Sequence, residues 1–302
     1  MLKLNVARPA PRLPSCCALL FIAVFLLLAG CAPRQLIVGS LADELAAQGS
    51  QQESDLELAR DAAPFYLKLS ESVLLQQPGH RALAEAVAGG FTRYAYAFIV
   101  SEAERLEAHD SKQADTLRQR AAAMYRRARG HALAALEHSH PGLTATLSQS
   151  ESHLKLSRDE AGLGYWAAAA WAGWISLSKD HPDIVADLPQ AVRLARLAWE
   201  ADPEWQQGTL TGLLATLEAA RPGGDRQQAL RWFDQAIAQS AGRNPAAYVA
   251  KAEGIALPAG DRAEFEALLN KALAITPEKP GLQDLLMQRR ARWLLEQAPD
   301  LF

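Results

Sequence analysis

The sequence predicts an all-α protein, a bundle or short solenoid of antiparallel helix pairs, on three observations. Apolar residues recur at helical spacing from Leu56 almost to the carboxyl end. No segment shows the strict two-residue alternation of a half-buried strand. Alanine and leucine dominate while valine and threonine are sparse.

The chain opens with Lys3, Arg8 and Arg12, no acidic residue, and an apolar run from Cys16 to Leu28. That order is a secretory signal. The run ends in Leu28-Ala29-Gly30-Cys31; small residues immediately before a cysteine mark a bacterial lipoprotein signal, with cleavage after Gly30 and diacylglycerol on Cys31. It is shorter than the roughly 18 residues that a comfortable membrane span requires. Everything after Cys31 is therefore expected outside the cytoplasm, tethered at a membrane. Ala32 rather than aspartate follows the cysteine, which favours a periplasm-facing, outer-membrane position.

The expected layout is a signal over residues 1–30, a lipidated tether over 31–53 and a single helical domain over 54–302. Removing the first 30 of 302 residues leaves 272, ample for a core. It also removes three cations and takes the formal charge from −3 to −6. An acidic surface argues against nucleic acid and against adsorption to anionic lipid. Cys16 and Cys17 leave with the signal and Cys31 carries lipid, so neither a disulfide nor a thiolate metal site is expected.

Asp55 is placed to cap a first helix that carries Leu56 and Leu58. A second, capped by Asp61 with Pro64 in its first turn, is expected to run through Phe65, Leu67, Leu69, Val73 and Leu74 and to stop at Gln77-Pro78-Gly79. Later helices share a pattern. Ala191, Ala195 and Ala198 precede Asp202-Pro203; Ala229, Phe233 and Ala236 repeat the spacing; Phe265, Leu269 and Ala272 repeat it again before Thr276-Pro277. A weaker copy is Ala121, Tyr125 and Ala128. This is the second-helix signature of a degenerate tetratricopeptide-type repeat, in which small residues let helices approach closely. First helices fit loosely, as at Tyr248, Ala252 and Ile255. Stacked pairs leave a concave face that binds something.

Ala161 to Ser178 holds no charged residue. A helix apolar all round is buried on every side or spans a membrane; its glycines and alanines favour the centre of a bundle. On it Trp171 and Trp174 lie about 60° apart, and Trp166 about 80° to the other side of Trp174. Indoles in this number either fill an interhelical core or face an apolar ligand. Tyr94, with Phe98 on the same helical face, poses the same choice. The candidate hydrophobic cleft is Tyr94, Trp166, Trp171 and Trp174.

His131, His138 and His140 lack the spacing of a zinc site, and Gly89-Gly90 and Gly223-Gly224 do not follow strands as phosphate loops do. No nucleophile elbow is present. Neither catalysis nor a cofactor or metal is expected. Near the carboxyl end Arg289, Arg290 and Arg292 flank Trp293; such cations either suit the helix dipole or contact an acidic partner or anionic ligand.

Together, Ala62 to Leu69, Gly90 to Phe98, Tyr165 to Lys179, Asp225 to Ala236, Asp261 to Leu269 and Gln288 to Leu295 resemble the TRAP-transporter-associated tetratricopeptide-like lipoproteins, the TatT component family. The resemblance spans essentially the mature chain. It implies a periplasmic lipoprotein that forms an oligomer, a trimer, with a hydrophobic cleft leading to a central pore. It further implies pairing with the substrate-binding subunit of a tripartite ATP-independent periplasmic transporter and a hydrophobic or amphipathic organic acid as cargo. Cys31 carries over as the lipid site. The competing reading is a scaffold lipoprotein for envelope assembly, which would present a polar groove instead of an apolar cavity. Replacing Cys31 with serine is expected to abolish incorporation of radiolabelled palmitate and partitioning into the detergent phase; retention of both would refute the lipid assignment.

Overall fold

The computed structural model describes residues 32–48, 55–149, 153–277 and 280–302; the signal segment and Cys31 lie outside them. The chain divides into two compact units, Met1–Leu41 and Ala42–Phe302. Of the first, the described residues form the opening turns of helix α1 (Ala32–Gln48). Among the described residues there is no strand, and no helix is long and apolar enough to cross a membrane.

The segment expected to serve as a tether is thus helical over Ala32–Gln48, and from Ala42 onward it belongs to the folded unit. Ala42 and Leu45 are buried, and the Tyr66 hydroxyl donates to the Leu45 carbonyl. Helix α2 (Leu56–Leu74) starts at Asp55, whose carboxylate accepts from the Glu57 and Leu58 amides at 2.9 and 3.1 Å. The two helices expected here are one, running straight through Pro64. A proline within a helix deprives the carbonyl four residues earlier of its donor. That carbonyl belongs to Arg60, an exposed residue, where water can replace the lost bond.

Helix α3 (Arg81–Tyr94) widens into a π-helical segment, Ala95–Val100, and continues as α4 (Ser101–Leu106). The long α5 (Ser111–Ser139) and short α6 (Leu143–Leu147) follow, and α5 stops just before Pro141. Then come α7 (Ala161–Ser176), α8 (Pro182–Val185), α9 (Leu188–Ala201), α10 (Thr209–Ala220) and α11 (Arg226–Gln239). Helix α12 (Pro245–Lys251) passes into a second π segment, Ala252–Ala256, before α13 (Arg262–Ala274) and α14 (Leu282–Leu301).

Uncharged α7 is the hub. It packs against α3, α5, α9 and α10, and its glycines let these neighbours approach. A Cβ on Gly164 would stand 2.7 Å from the Ala198 methyl, and one on Gly173 2.8 Å from the Tyr125 ring. The recurrent positions all lie in the core: Ala121, Tyr125 and Ala128 on α5, Ala191, Ala195 and Ala198 on α9, Ala229, Phe233 and Ala236 on α11, and Phe265, Leu269 and Ala272 on α13.

Two buried carboxylates pin the first half. Glu71 on α2 receives Arg127 through both oxygens, His131 Nε2 at 2.7 Å and Lys68 Nζ at 2.6 Å. Burial alone would raise its carboxyl, but the hydrogen bonds from Arg127, Lys68 and His131 prevail and hold it at about 2. Glu160, just before α7, accepts from His140 Nε2 at 2.9 Å and from the Ser157 amide and hydroxyl at 2.9 and 2.7 Å. Burial opposes ionisation there too, and the His140 and Ser157 bonds bring its carboxyl to about 2.

Both carboxyls lie below their ordinary value of 4.5 in the fold. They therefore add stability that is fully present above that value and is lost as pH falls toward about 2. Replacing Glu71 with alanine takes the acceptor from His131 and from the half-exposed Arg127 and is expected to cost about 1–3 kcal/mol. Urea titrations of wild type and variant from pH 7 to pH 2.5 should show the stability gap narrowing across the acid range. A gap that does not change with pH would contradict the assignment.

Candidate functional site

Along α3, Ala82, Glu85, Ala86, Gly89 and Arg93 fall at helical spacing and form one stripe. This stripe faces the end of α1, helix α7 and the loop before α10, across a cavity of about 430 Å³, within the range of small-molecule sites. Asp43, Ala46 and Ala47 close it from α1, Trp166 from α7, and Gln206 from the loop.

Gly89 sits mid-stripe because Trp166 lies against it: a Cβ there would stand 2.8 Å from the indole. The adjacent Gly90 leaves room for Leu67 in the same way. The indole supports the Arg93 guanidinium, whose Cζ lies 4.7 Å from the ring centroid in a cation–π contact. Tyr165 buttresses Trp166 from behind, edge-on at 4.7 Å, and contacts Trp205 at the same centroid distance. Burial pushes the Tyr165 hydroxyl up to about 12, against the opposing charge of Arg93.

The loop carrying Gln206 is strained. Gln206 and Gln207 have φ of 42° and 55°, and Gly208 has 89°. Left-handed backbone at two non-glycine residues costs of order 1–3 kcal/mol each. Gln207 N donates to the Glu204 carbonyl at 2.9 Å, and Gln239 Nε2 reaches across to the Pro203 carbonyl at 3.0 Å and Glu204 Oε1 at 2.8 Å. These bonds hold Gln206 over the cavity.

The charges in the cavity differ from those elsewhere. Asp43 pairs with His80 Nε2 at 3.1 Å. Among the described residues, Arg93 and Glu85 have no hydrogen-bond or ion-pair partner, although each lies in the field of the other. Burial lowers the Arg93 guanidinium, which the charges of Tyr165 and Glu85 counter; burial raises the Glu85 carboxyl and Arg93 opposes it. The Glu85 carboxylate lies against Gly162 in the first turn of α7, where the positive end of the helix favours an anion.

Of the four aromatics expected to line a cleft, Trp166 reaches the cavity. Tyr94, next to Arg93 in sequence, points about 100° away on the helix and is buried beside Phe98 at 5.4 Å. Trp171 and Trp174 instead flank Arg129, at 4.3 and 4.9 Å, and Trp171 Nε1 donates to Asp187 Oδ2 at 3.2 Å. The cavity is amphipathic, with one indole, several alanines, the His80-paired Asp43 and two further charges of opposite sign, Glu85 and Arg93. Neither Arg93 nor Glu85 stood out as a site residue in the sequence. The available signal was that Arg93 is the sole charged residue between Glu85 and Glu102.

The carboxyl-terminal arginines part company. Arg290 is committed inside the fold, pairing with Glu104 and, at 2.6 Å, with Glu253, its guanidinium 4.6 Å from the Trp293 ring centroid. Arg289 donates to the Ala97 carbonyl at 3.0 Å and sits over Phe98. Arg292 is exposed. His131 and His140 are the partners of Glu71 and Glu160, and the His138 ring lies against Gly79. Among the described residues no group of three His, Cys, Asp or Glu is placed to hold a metal ion.

A family model described as "TAtT: TRAP transporter T-component" matches residues 52–302. An uncharacterized protein of Treponema pallidum (strain Nichols) is 29% identical over 320 residues, covering 97% of this chain and 98% of its own length.

Gly89→Ala should push the Trp166 ring off its seat. The expected readout is a shifted tryptophan emission maximum with a stability loss of about 1–3 kcal/mol; an unchanged spectrum and midpoint would show that Gly89 does not seat the indole.

Proposed function

This chain belongs to the TRAP transporter T-component family, and from that premise we propose that it is a periplasmic lipoprotein that binds an amphipathic organic acid for such a transporter. Lipid on Cys31 would hold it at the periplasmic face of the outer membrane. Its helix pairs would stack in tetratricopeptide-like fashion, a trimer would be the working assembly, and the substrate-binding subunit of the transporter would be its partner. The reading gives the chain no catalytic step.

The observation that carries the ligand part is the Arg93 guanidinium. Glu71, Glu160 and Arg290 are each held by ion pairs within the fold. Arg93 instead presents its fork to a 430 Å³ cavity from a seat on an indole. A guanidinium fork matches a carboxylate bidentately, and the alanines and Trp166 beside it suit a short hydrocarbon. An acid of that kind satisfies both halves of the lining.

Binding is testable by isothermal titration of the purified chain with octanoate. Arg93→Gln is expected to weaken binding at least tenfold and Arg292→Gln to leave it unchanged. Equal affinity in wild type and Arg93→Gln would refute the carboxylate role of Arg93.

A further inference from the structure

Beside Arg93 and the His80-paired Asp43, the cavity is lined by a further charge, Glu85, that a simple acid leaves unused. Glu85 and Arg93 lie on the same stripe of α3 and contact α7 one turn apart, Glu85 against Gly162 and Arg93 over Trp166. On α3 the two residues are eight positions apart, a rise of about 12 Å, and the α7 residues they touch are four apart, about 6 Å. Among the described residues each charge lacks an ion-pair partner, and both line the same cavity. A carboxylate on Arg93 alone would leave Glu85 facing the ligand as an uncompensated anion, and a purely hydrocarbon tail over it would strip its water without replacement.

Resting on the proposal that the cavity binds an organic acid at Arg93, we infer that the preferred ligand is a zwitterion. Its carboxylate meets Arg93 and its ammonium or substituted ammonium meets Glu85, with a short carbon chain spanning about one helical turn between them. Trp166 and the alanines cover that chain. Trp166 adds a face on which the ligand's methylenes can lie, while its other contact with Arg93 keeps the guanidinium turned toward the carboxylate. Specificity then comes from leaving one half-buried charge unmatched whenever either end of the ligand is missing.

Isothermal titration of the full chain with 5-aminopentanoate, pentanoate and octanoate separates the two layers of the proposal. Wild type should bind 5-aminopentanoate at least tenfold more tightly than pentanoate. Glu85→Gln should erase that preference while retaining pentanoate binding, which also reports that the variant is folded. Pentanoate or octanoate binding that requires Arg93, with no gain from the ammonium in wild type, overturns the zwitterion and leaves the acid reading intact. Absence of any Arg93-dependent binding across the three probes overturns both. The wild-type comparison depends on no variant.

Discussion

A helix without charge cannot face water along its length, so α7 dictates that other helices wrap it. The wrapping is tight because α7 carries glycine where its neighbours come closest: Gly162 under Glu85, Gly164 under Ala198, Gly173 under Tyr125. Interiors pack near crystal density, and those approaches set the spacing of α3, α5 and α9 around the hub. The candidate cavity follows from the same geometry. Trp166 projects from α7 onto Gly89 of α3, so its indole becomes a wall and a seat for Arg93 instead of core filling.

The deployment of charge separates scaffold from site. Glu71 and Glu160 are buried and surrounded by donors, as isolated carboxylates in a low-dielectric interior must be. Arg129 is similarly spent between two indoles and Asp187. Against that background Arg93 and Glu85 are distinctive because the surrounding helices leave them to the cavity. The strained turn at Gln206 belongs with them, since left-handed backbone tends to collect where a binding surface needs a particular shape.

Much of the architecture was legible in the sequence because it depends on local rules. Helical periodicity, the cap at Asp55, the stops near Pro78 and Pro141, and the central position of an uncharged Trp-bearing helix all follow from neighbours within a few turns. The parts that were not legible depend on distant contacts. Ala32–Gln48 has little amphipathic character, and its packing is visible only once Tyr66 reaches Leu45. Trp171 and Trp174 share their helix with Trp166, yet which side meets Arg129 and which meets Arg93 is set by α5 and α3. The π segments leave no compositional mark. The arginine cluster at the carboxyl end left two readings open in sequence because its acidic partners lie far upstream.

Those partners connect the two widened helices. Arg289 holds the Ala97 carbonyl in the first π segment, and Arg290 holds Glu253 in the second together with Glu104. Glu104 and Arg290 are 186 positions apart, so the pair closes only after α14 has been made. During synthesis Glu104 waits for its partner in water, and α14 acts as a latch on the earlier helices. Contacts of such long range slow folding. They also make α14 a condition of the final state: a polypeptide that stops short of it has no Arg290 to join Glu104 to Glu253.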